Sequence, residues 1–281
     1  MMTLPELAAD ALGKFLGEYM QRRFGTSQTQ LVEMVPSIAR IAIECIGNSD
    51  ALFHNVEHTM LVTLAGHDIL RGRALHSHMT AEDYAHVIIA CLMHDIGYVR
   101  GLFEADDADG YLIAADGRKI TLPRGASDAA LMPYHVDRSK MFVMERIKGI
   151  AQLDRGRIAH AIEGTRFPLS APNDNEAFDE DAALLRAADL IGQLGDPNYI
   201  RKANALYLEF EEAGLNRELG YNSPADLVNL YPQFYWDSVA PHVQKAIRHL
   251  NITSAGRQWI ANLYGNVFRA ERDISLSGPQ K

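Results

Sequence analysis

The most constraining feature of the sequence is an apolar run that ends in a histidine and an aspartate. Residues 87–93 read VIIACLM, and His94-Asp95-Ile96-Gly97 follow directly. We interpret this run as a buried helix. Charged side chains at the end of a buried helix are costly unless they are paired or bind a metal ion. The motif therefore indicates either an ordinary helix end, with Gly97 as the stop signal, or a functional site.

Length and composition narrow the classes of protein. The chain has 281 residues, enough for one large or two small domains, and a net charge of −9. An acidic protein lacks the basic face that a nucleic-acid polymer needs, although a local basic pocket for a small phosphate stays open. The two cysteines, Cys45 and Cys91, have no CxxC spacing and argue against a disulfide framework or a cysteine zinc site.

The sequence also bears on location and partners. Its longest apolar run is far too short to span a bilayer, and Glu6, Asp10 and Lys14 interrupt the apolar residues of the N-terminus. We therefore expect a cytoplasmic protein with no membrane partner and no nucleic-acid polymer as a partner. Whether it forms a homodimer stays open.

Hydrophobic periodicity predicts an all-α protein. Helices are expected over about 4–24, 30–46, 51–71, 80–93, 136–152, 154–164 and 180–194, with more through 198–270. Pro36 is expected to split or kink the second helix. Residues 168–178 are predicted to form a loop, and residues 276–281 a frayed tail.

One segment departs from the helical pattern. Two short apolar stretches, 111–114 and 119–122, flank Asp116-Gly117, which predicts a β-hairpin at about 110–123. Because the hairpin follows the His-Asp motif closely, it fits either a lid or specificity loop or a solvated hairpin without a role.

The helix at 180–194 carries a second unusual carboxylate. It is apolar on nearly all sides, which predicts a buried helix, yet Asp189 lies near its middle. A buried aspartate needs a partner such as a metal ion, an arginine or a helix cap. Arg186, one turn earlier, offers a simple ion pair as the alternative to a metal.

The predicted third helix contains a pair of histidines. His54 and His58 are four residues apart, so a helix spanning both would place them on one face. Such a pair suits metal binding or acid–base chemistry, but it also arises by chance.

The unusual residues form an ordered set in which each predicted helix contributes ligands to one bundle. The set comprises His58, His94, Asp95, His135, His160 and Asp189, with gaps of about 25 to 40 residues. Six nitrogen and oxygen ligands without sulfur suit two divalent ions of the Fe, Mn, Zn, Co or Mg kind. Asp95 could bridge the two ions.

This order, H…HD…H…H…D, resembles the HD-domain superfamily of metal-dependent phosphohydrolases over roughly residues 50–195. The resemblance implies an all-helical HD-domain bundle with metal at its centre and His58, His94, Asp95 and Asp189 as the basic ligand set. His135 and His160 match the extra ligands of two-metal members. We expect one domain over 1–281, with N-terminal helices at 1–50, a metal-binding core at 51–195 and a C-terminal helical cap at 196–275.

A second resemblance concerns the stretch Phe53-His54-Asn55-Val56-Glu57-His58. It is similar to the Tyr-His-Asn-x-x-His segment of cyclic-nucleotide phosphodiesterases, with Phe53 in place of the tyrosine. That similarity implies a general-acid role for His54 and a ligand role for His58.

The expected function is hydrolysis of a phosphomonoester or phosphodiester, on a nucleotide or another small phosphorylated metabolite. Two ions would clamp the phosphate and activate a bridging water, with Asp95 between them and His54 protonating the leaving oxygen. Arg138 and Lys140, just after His135, are predicted to neutralise phosphate oxygens. The alternative for both residues is a solvated helix start.

Two other functions stay open. Some two-metal HD proteins are mixed-valent diiron oxygenases that cleave C–C or C–P bonds, and the same six ligands serve both chemistries. His54 favours hydrolysis, because an acid is useful to a hydrolase. A non-catalytic nucleotide-binding module is the third alternative, and the intact ligand set argues against it.

Overall fold

The computed structural model describes residues 2–25, 28–169 and 179–277. The described chain up to Leu194 contains seven helices of nine or more residues, and all-α is confirmed as the fold class. They are α1 (Leu4–Phe24), α2 (Thr29–Ile46), α3 (Val56–Arg73), α4 (Ala81–Met93), α5 (His135–Arg146), α6 (Arg155–Glu163) and α7 (Glu180–Leu194). The C-terminal part adds α8 (Tyr199–Glu212), α9 (Leu215–Leu219), α10 (Pro224–Asn229), α11 (Tyr231–Phe234), α12 (Ala240–Leu250) and α13 (Ser254–Ser277).

The centre of the fold is formed by α3, α4 and α7, which pack against one another. Every residue of α4 from Tyr84 to Met93 is buried, as its apolar sequence predicts. On one side α2 packs against α4 and pairs with α1, and on the other α12 packs against α3 and α7. Because the His-Asp motif ends α4 and Asp189 lies on α7, this arrangement brings His94, Asp95 and Asp189 together near the centre of the fold.

A glycine allows the close approach of α3 and α7. A Cβ atom at Gly192 of α7 would lie 2.8 Å from the backbone nitrogen of Val62 in α3. Any larger residue would push the two helices apart. The spacing between α3, which carries His58, and α7, which carries Asp189, therefore depends on this position.

The third helix begins later than the sequence predicts. Helix α3 starts at Val56, and the side chain of Asn55 accepts hydrogen bonds from the backbone N–H groups of Glu57 and His58. This N-cap ends the extended segment before it. His54 consequently precedes the helix, so the prediction that His54 and His58 share a helical face was wrong. Helix α2, by contrast, continues through Pro36.

The predicted hairpin is present as β1 (Tyr111–Leu112) and β2 (Lys119–Ile120), which pair antiparallel. Tyr111 lies opposite Ile120 across the pair. Of the predicted loop at 168–178 and tail at 276–281, residues 170–178 and 278–281 lie outside the described ranges. Among the helices that the structure describes, none is both long enough and apolar enough to cross a membrane.

Candidate metal centre

Four of the six predicted ligands meet in the core. His58 lies in the first turn of α3, His94 and Asp95 follow α4, and Asp189 lies on α7. Nε2 of His58 lies 3.2 Å from Oδ2 of Asp95 and 3.3 Å from Oδ1 of Asp189. Nε2 of His94 lies 3.1 Å and 3.7 Å from the same two oxygens. Two nitrogens and two oxygens thus surround one point.

The atoms of this cluster lack other partners. Nε2 of His58, Nε2 of His94 and Oδ2 of Asp95 are buried and make no directional hydrogen bond within the described part of the chain. Buried polar atoms are nearly always satisfied, and each exception needs an explanation. Ordinary His-Asp ion pairs would align an N–H with a carboxylate oxygen. Atoms that instead aim at a shared point are typical of ligands around a cation.

The spacing of these atoms also fits a divalent ion. Atoms bound to one ion at about 2.0–2.2 Å lie about 2.8–3.6 Å apart along the edges of a tetrahedron or an octahedron. Three of the four distances above fall in that range, and the fourth is 3.7 Å. His58, His94 and Asp189 together could hold a metal ion, and Asp95 adds a fourth ligand.

The charges of the cluster point the same way. Burial alone would lower the pKa of His58, but Asp189 and Asp95 outweigh it and raise the pKa to about 9. Burial likewise opposes the charge on Asp95, yet the adjoining His94 and His58 hold the pKa of this carboxyl well below its usual range. The two carboxylates thus stay ionised in the core and favour a positive charge between them.

A hydrogen bond to the backbone fixes the orientation of His94. Its Nδ1 lies 2.8 Å from the carbonyl oxygen of Cys91, one turn earlier on α4. That contact is made by an Nδ1–H donor, so in neutral His94 the Nε2 atom carries the lone pair. A backbone carbonyl in this position is a usual support for a metal-ligating histidine.

His54 lies beside the cluster and has its own carboxylate partner. Its Nδ1 is 2.5 Å from Oε2 of Glu209, which lies on α8. The other oxygen of Glu209 accepts hydrogen bonds from the backbone N–H groups of Phe53, at 2.6 Å, and of His54 itself, at 3.2 Å. One ring nitrogen of His54 also comes within 4.8 Å of ligand atoms of His58 and Asp95. The imidazole is thus clamped at the edge of the candidate metal site.

Glu209 was missed in the sequence analysis. Its carboxylate is nearly fully buried, and burial would raise its pKa, but His54 and the two backbone N–H groups outweigh this and lower the pKa. A signal was present, since Tyr199, Ala203, Leu206 and Glu209 recur at helical spacing along the buried face of α8. A glutamate in an otherwise apolar stripe marks a charge that needs a buried partner.

His135 lies on the other side of Asp95. Its Nε2 is 3.7 Å from Oδ1 of Asp95, and its Nδ1 is 2.5 Å from the carbonyl oxygen of Met132. Gly97 permits this approach, because a Cβ atom there would lie 2.0 Å from the backbone oxygen of His135. The ring of Tyr98 stacks between the rings of His135 and His54, at centroid distances of 4.5 and 4.8 Å.

The structure does not bring His160 to the cluster. The buried residues of α6 are Ile158, Ala159, Ala161 and Ile162, which leaves His160 on the outer face. Its side chain is 47% exposed, and its Nε2 lies 3.8 Å from Oδ2 of Asp179. The predicted pairing of His135 with His160 as ligands of a second ion does not fit this placement.

The contacts of Arg138 and Lys140 also differ from those predicted. Arg138 is fully buried, and its guanidinium donates to the backbone oxygens of Gly97, Val99 and Leu112 and to the carboxylate of Asp106. This set of contacts occupies its donors and makes it a structural residue. Lys140 pairs with Glu163 at 2.7 Å and with Asp137 at 3.5 Å. Neither Arg138 nor Lys140 lines the cavity described next, so the predicted phosphate contacts do not fit.

A cavity of about 360 Å³ opens onto the cluster. Asp95, Asp189, His54 and His135 line it, whereas His58 and His94 lie behind them. A small molecule in the cavity would therefore meet the carboxylates and the clamped imidazole first. The remaining lining comes largely from apolar and aromatic residues of α7 to α11.

Comparison with known proteins places the chain in one family. No curated protein and no solved structure matches it. The model of the Npun_R2479-like family matches residues 2–273, a range that contains the four-residue cluster, His54 and Glu209. Because this match covers nearly the whole sequence, the chain belongs to the Npun_R2479-like family.

Proposed function

We propose that this protein is a metal-dependent phosphohydrolase of the HD type that acts on an ester of a small molecule. The observation that carries the proposal is the His54–Glu209 pair, which lies in the wall of the cavity next to a set of metal-ligand atoms. A metal site alone would suit many reactions. A clamped imidazole beside it adds the proton donor that ester hydrolysis needs.

His58, His94, Asp95 and Asp189 would hold the ion. When bound, a divalent ion supplies Lewis acidity toward a phosphoryl oxygen and toward water. The two carboxylates face the cavity and set the side from which a substrate approaches, because the two histidines lie behind them.

The proton step belongs to His54. With Nδ1 held by Glu209, the remaining ring nitrogen, Nε2, is the one available to a substrate in the cavity. The carboxylate of Glu209 orients the imidazole through Nδ1, so His54 can pass a proton from Nε2 to the leaving oxygen. Glu209 itself acts as a positioning residue, and it fixes the loop before α3 through the N–H groups of Phe53 and His54.

We propose one resident ion rather than two. Asp95 presents Oδ2 to His58 and His94, whereas its Oδ1 faces only His135 among the predicted extra ligands. The outward position of His160 leaves the predicted six-ligand set for two ions incomplete. This supports hydrolysis over the diiron oxygenase, which depends on two redox-active ions.

The test combines metal analysis with a substrate screen. Full-length protein is loaded anaerobically with Fe, Mn, Zn, Co or Mg and assayed for phosphate release from phosphomonoesters and for alcohol release from phosphodiesters. We expect about one ion per chain and hydrolysis of at least one ester class, with no oxygen uptake. The His94→Ala variant is the control and should be inactive.

A different pattern would overturn the proposal. Stoichiometric metal in the wild type, with no ester hydrolysed and oxygen consumed in the presence of an organic substrate, would indicate the oxygenase. Hydrolysis that His94→Ala retains in full would show that the activity comes from a contaminant or from another site.

A further inference from the structure

We infer that the substrate is an ester with one anionic head and a mainly apolar body, not a nucleotide with several phosphates. The inference rests on the proposed function, because it assigns the head group to the candidate metal centre. It is carried by the cavity wall that the C-terminal helices supply.

That wall is apolar almost throughout. Helices α8 to α11 and the turns between them line the cavity with Leu, Phe, Tyr and Ala side chains, and Glu218 is the only charged residue among them. The larger ones include Leu206, Phe210, Leu219, Leu227, Tyr231 and Phe234. Apolar surface that faces a cavity is energetically costly in water and is covered favourably by an apolar ligand.

The charge of the lining argues against a polyanion. Among the described residues that line the cavity, Arg186 is the only arginine and there is no lysine. The guanidinium of Arg186 donates to the carbonyl oxygen of Gly164 at 2.6 Å, and burial lowers its pKa. Glu218 lies in the same lining, so the described part of the wall outside the cluster has no net positive charge. Sites for several phosphates instead collect arginines, lysines or backbone N–H groups.

One polar group in the wall marks a place for an uncharged polar atom. Tyr231 lines the cavity, and its buried hydroxyl has no hydrogen-bond partner in the described ranges. The neighbouring Tyr199 ring lies 4.8 Å away. The body of the ligand therefore fits a hydrocarbon chain or ring that carries few polar atoms.

The test uses a homologous series of substrates. Ethyl, butyl, hexyl and octyl phosphate are compared with AMP and ATP on the metal-loaded full chain. Because each buried CH₂ group contributes about fourfold in binding, kcat/KM should rise more than 100-fold from ethyl to octyl phosphate. The kcat/KM for each nucleotide should be lower than that for octyl phosphate. A flat series, or a nucleotide that exceeds octyl phosphate, would overturn the inference.

A charged substitution in the wall gives an effect of known sign. Phe210→Lys should lower kcat/KM for octyl phosphate more than 10-fold, whereas a polyphosphate substrate would gain from the added cation. Leu208→Lys is the matched control, because Leu208 is exposed on the same helix and does not line the cavity. Circular dichroism checks folding. If Phe210→Lys does not fold, Leu219→Lys at a half-buried lining position replaces it and should show the same loss.

A binding measurement separates this inference from the proposed function. Octylphosphonate and ethylphosphonate, which cannot be hydrolysed as esters, are titrated calorimetrically into wild type and Phe210→Lys. Tighter octylphosphonate binding that the variant loses supports the apolar body, even if no ester is cleaved and the hydrolase proposal fails. Ester hydrolysis without any dependence of binding or turnover on chain length would leave the hydrolase proposal standing and overturn the substrate class.

Discussion

Two buried histidines on α3, His58 and His67, face opposite environments. His67 is nearly fully buried, its Nδ1 lies 2.7 Å from the hydroxyl of Tyr84, and the rings of Phe15 and Tyr19 meet it edge-on. Burial, with Arg71 and Arg22 nearby, lowers its pKa to about 3. His58, nine residues earlier, faces two carboxylates instead, and its pKa is raised to about 9.

The difference shows what marks a metal ligand in a helical core. Both histidines are buried on the same helix, so burial and position do not distinguish them. His67 has a hydroxyl partner and aromatic neighbours, which makes it a satisfied core residue. His58 and His94 have carboxylates at ion-pair distance and Nε2 atoms without hydrogen bonds. Unsatisfied nitrogen next to buried carboxylate is the signature that separates the two groups.

The largest effect is expected from substitution of His94, one of the candidate metal ligands. His94→Ala should lose bound metal and activity together, because it removes one of four ligands and leaves a buried carboxylate unpaired. His67→Phe should keep the metal content of the wild type. Elemental analysis measures the metal content of both variants. Thermal melts with and without metal measure whether each variant still gains stability from the ion. An ion at about 100 times its Kd stabilises the folded state by about 2.7 kcal/mol.

The outcome that contradicts the assignment is also clear. A metal-induced rise in Tm that survives in His94→Ala, but disappears in His67→Phe, would move the metal site to the other histidine group.

The next effect concerns the acid at the edge of the metal site. His54→Gln should retain metal and lose about 10²–10⁴ in kcat on alkyl esters, whose poor leaving groups need a proton. The loss on nitrophenyl phosphate should be small, because that leaving group departs without one. Glu209→Gln should show the same dependence on leaving group with a smaller loss. Equal losses on both substrates would remove His54 as the acid and leave it a binding role.

A moderate effect is expected on the pH dependence of the free energy of unfolding, to which His67 contributes. Unfolded His67 takes up a proton below about pH 6.5, whereas the native residue resists protonation until about pH 3. Its contribution to stability is therefore complete above pH 6.5 and is lost as the pH falls toward 3, by at most about 1.4 kcal/mol per pH unit. His67→Phe should flatten the fall in the free energy of unfolding between pH 6.5 and 5. The half-exposed His160→Ala serves as the control, and an equal flattening in both variants would contradict the assignment to His67.

The smallest expected effect is on metal content at the second predicted ion. His160→Ala should leave metal stoichiometry and turnover unchanged, because its side chain faces outward near Asp179. Elemental analysis of wild type and variant under metal-replete conditions checks this. A fall from about two ions to about one would instead restore the two-metal arrangement that the sequence predicted.

Local patterns in the sequence predicted most of the helices and the hairpin, because periodicity and turn residues act over short distances. The apolar runs around His94 and Asp189 also indicated that both residues lie in the core, where the structure brings them together with His58 and Asp95. The position of His54 was predicted less well, because Asn55 caps α3 and the helix starts at Val56, five residues after the predicted start at 51.

Other parts of the site depend on contacts between distant segments. Glu209 meets His54 across 155 residues of sequence, and no local pattern states that pairing. Arg138 follows His135 at a spacing that suits a phosphate ligand, yet Asp106 and three carbonyl groups draw it inward. The sequence identifies which residues are unusual, whereas the fold decides which partner each one meets.

The contact between Glu209 and His54 also divides the chemistry between two stretches of the chain. Residues 58–189 contain all four ligands of the candidate metal centre, and residues 199–234 contain Glu209 and the apolar wall of the cavity. On the proposed function, substitutions in the later stretch would change which ester is accepted, and how readily its leaving group is protonated, without altering the candidate metal ligands. On the proposed function, the C-terminal helices therefore set the accepted ester independently of the ligands of the candidate metal centre.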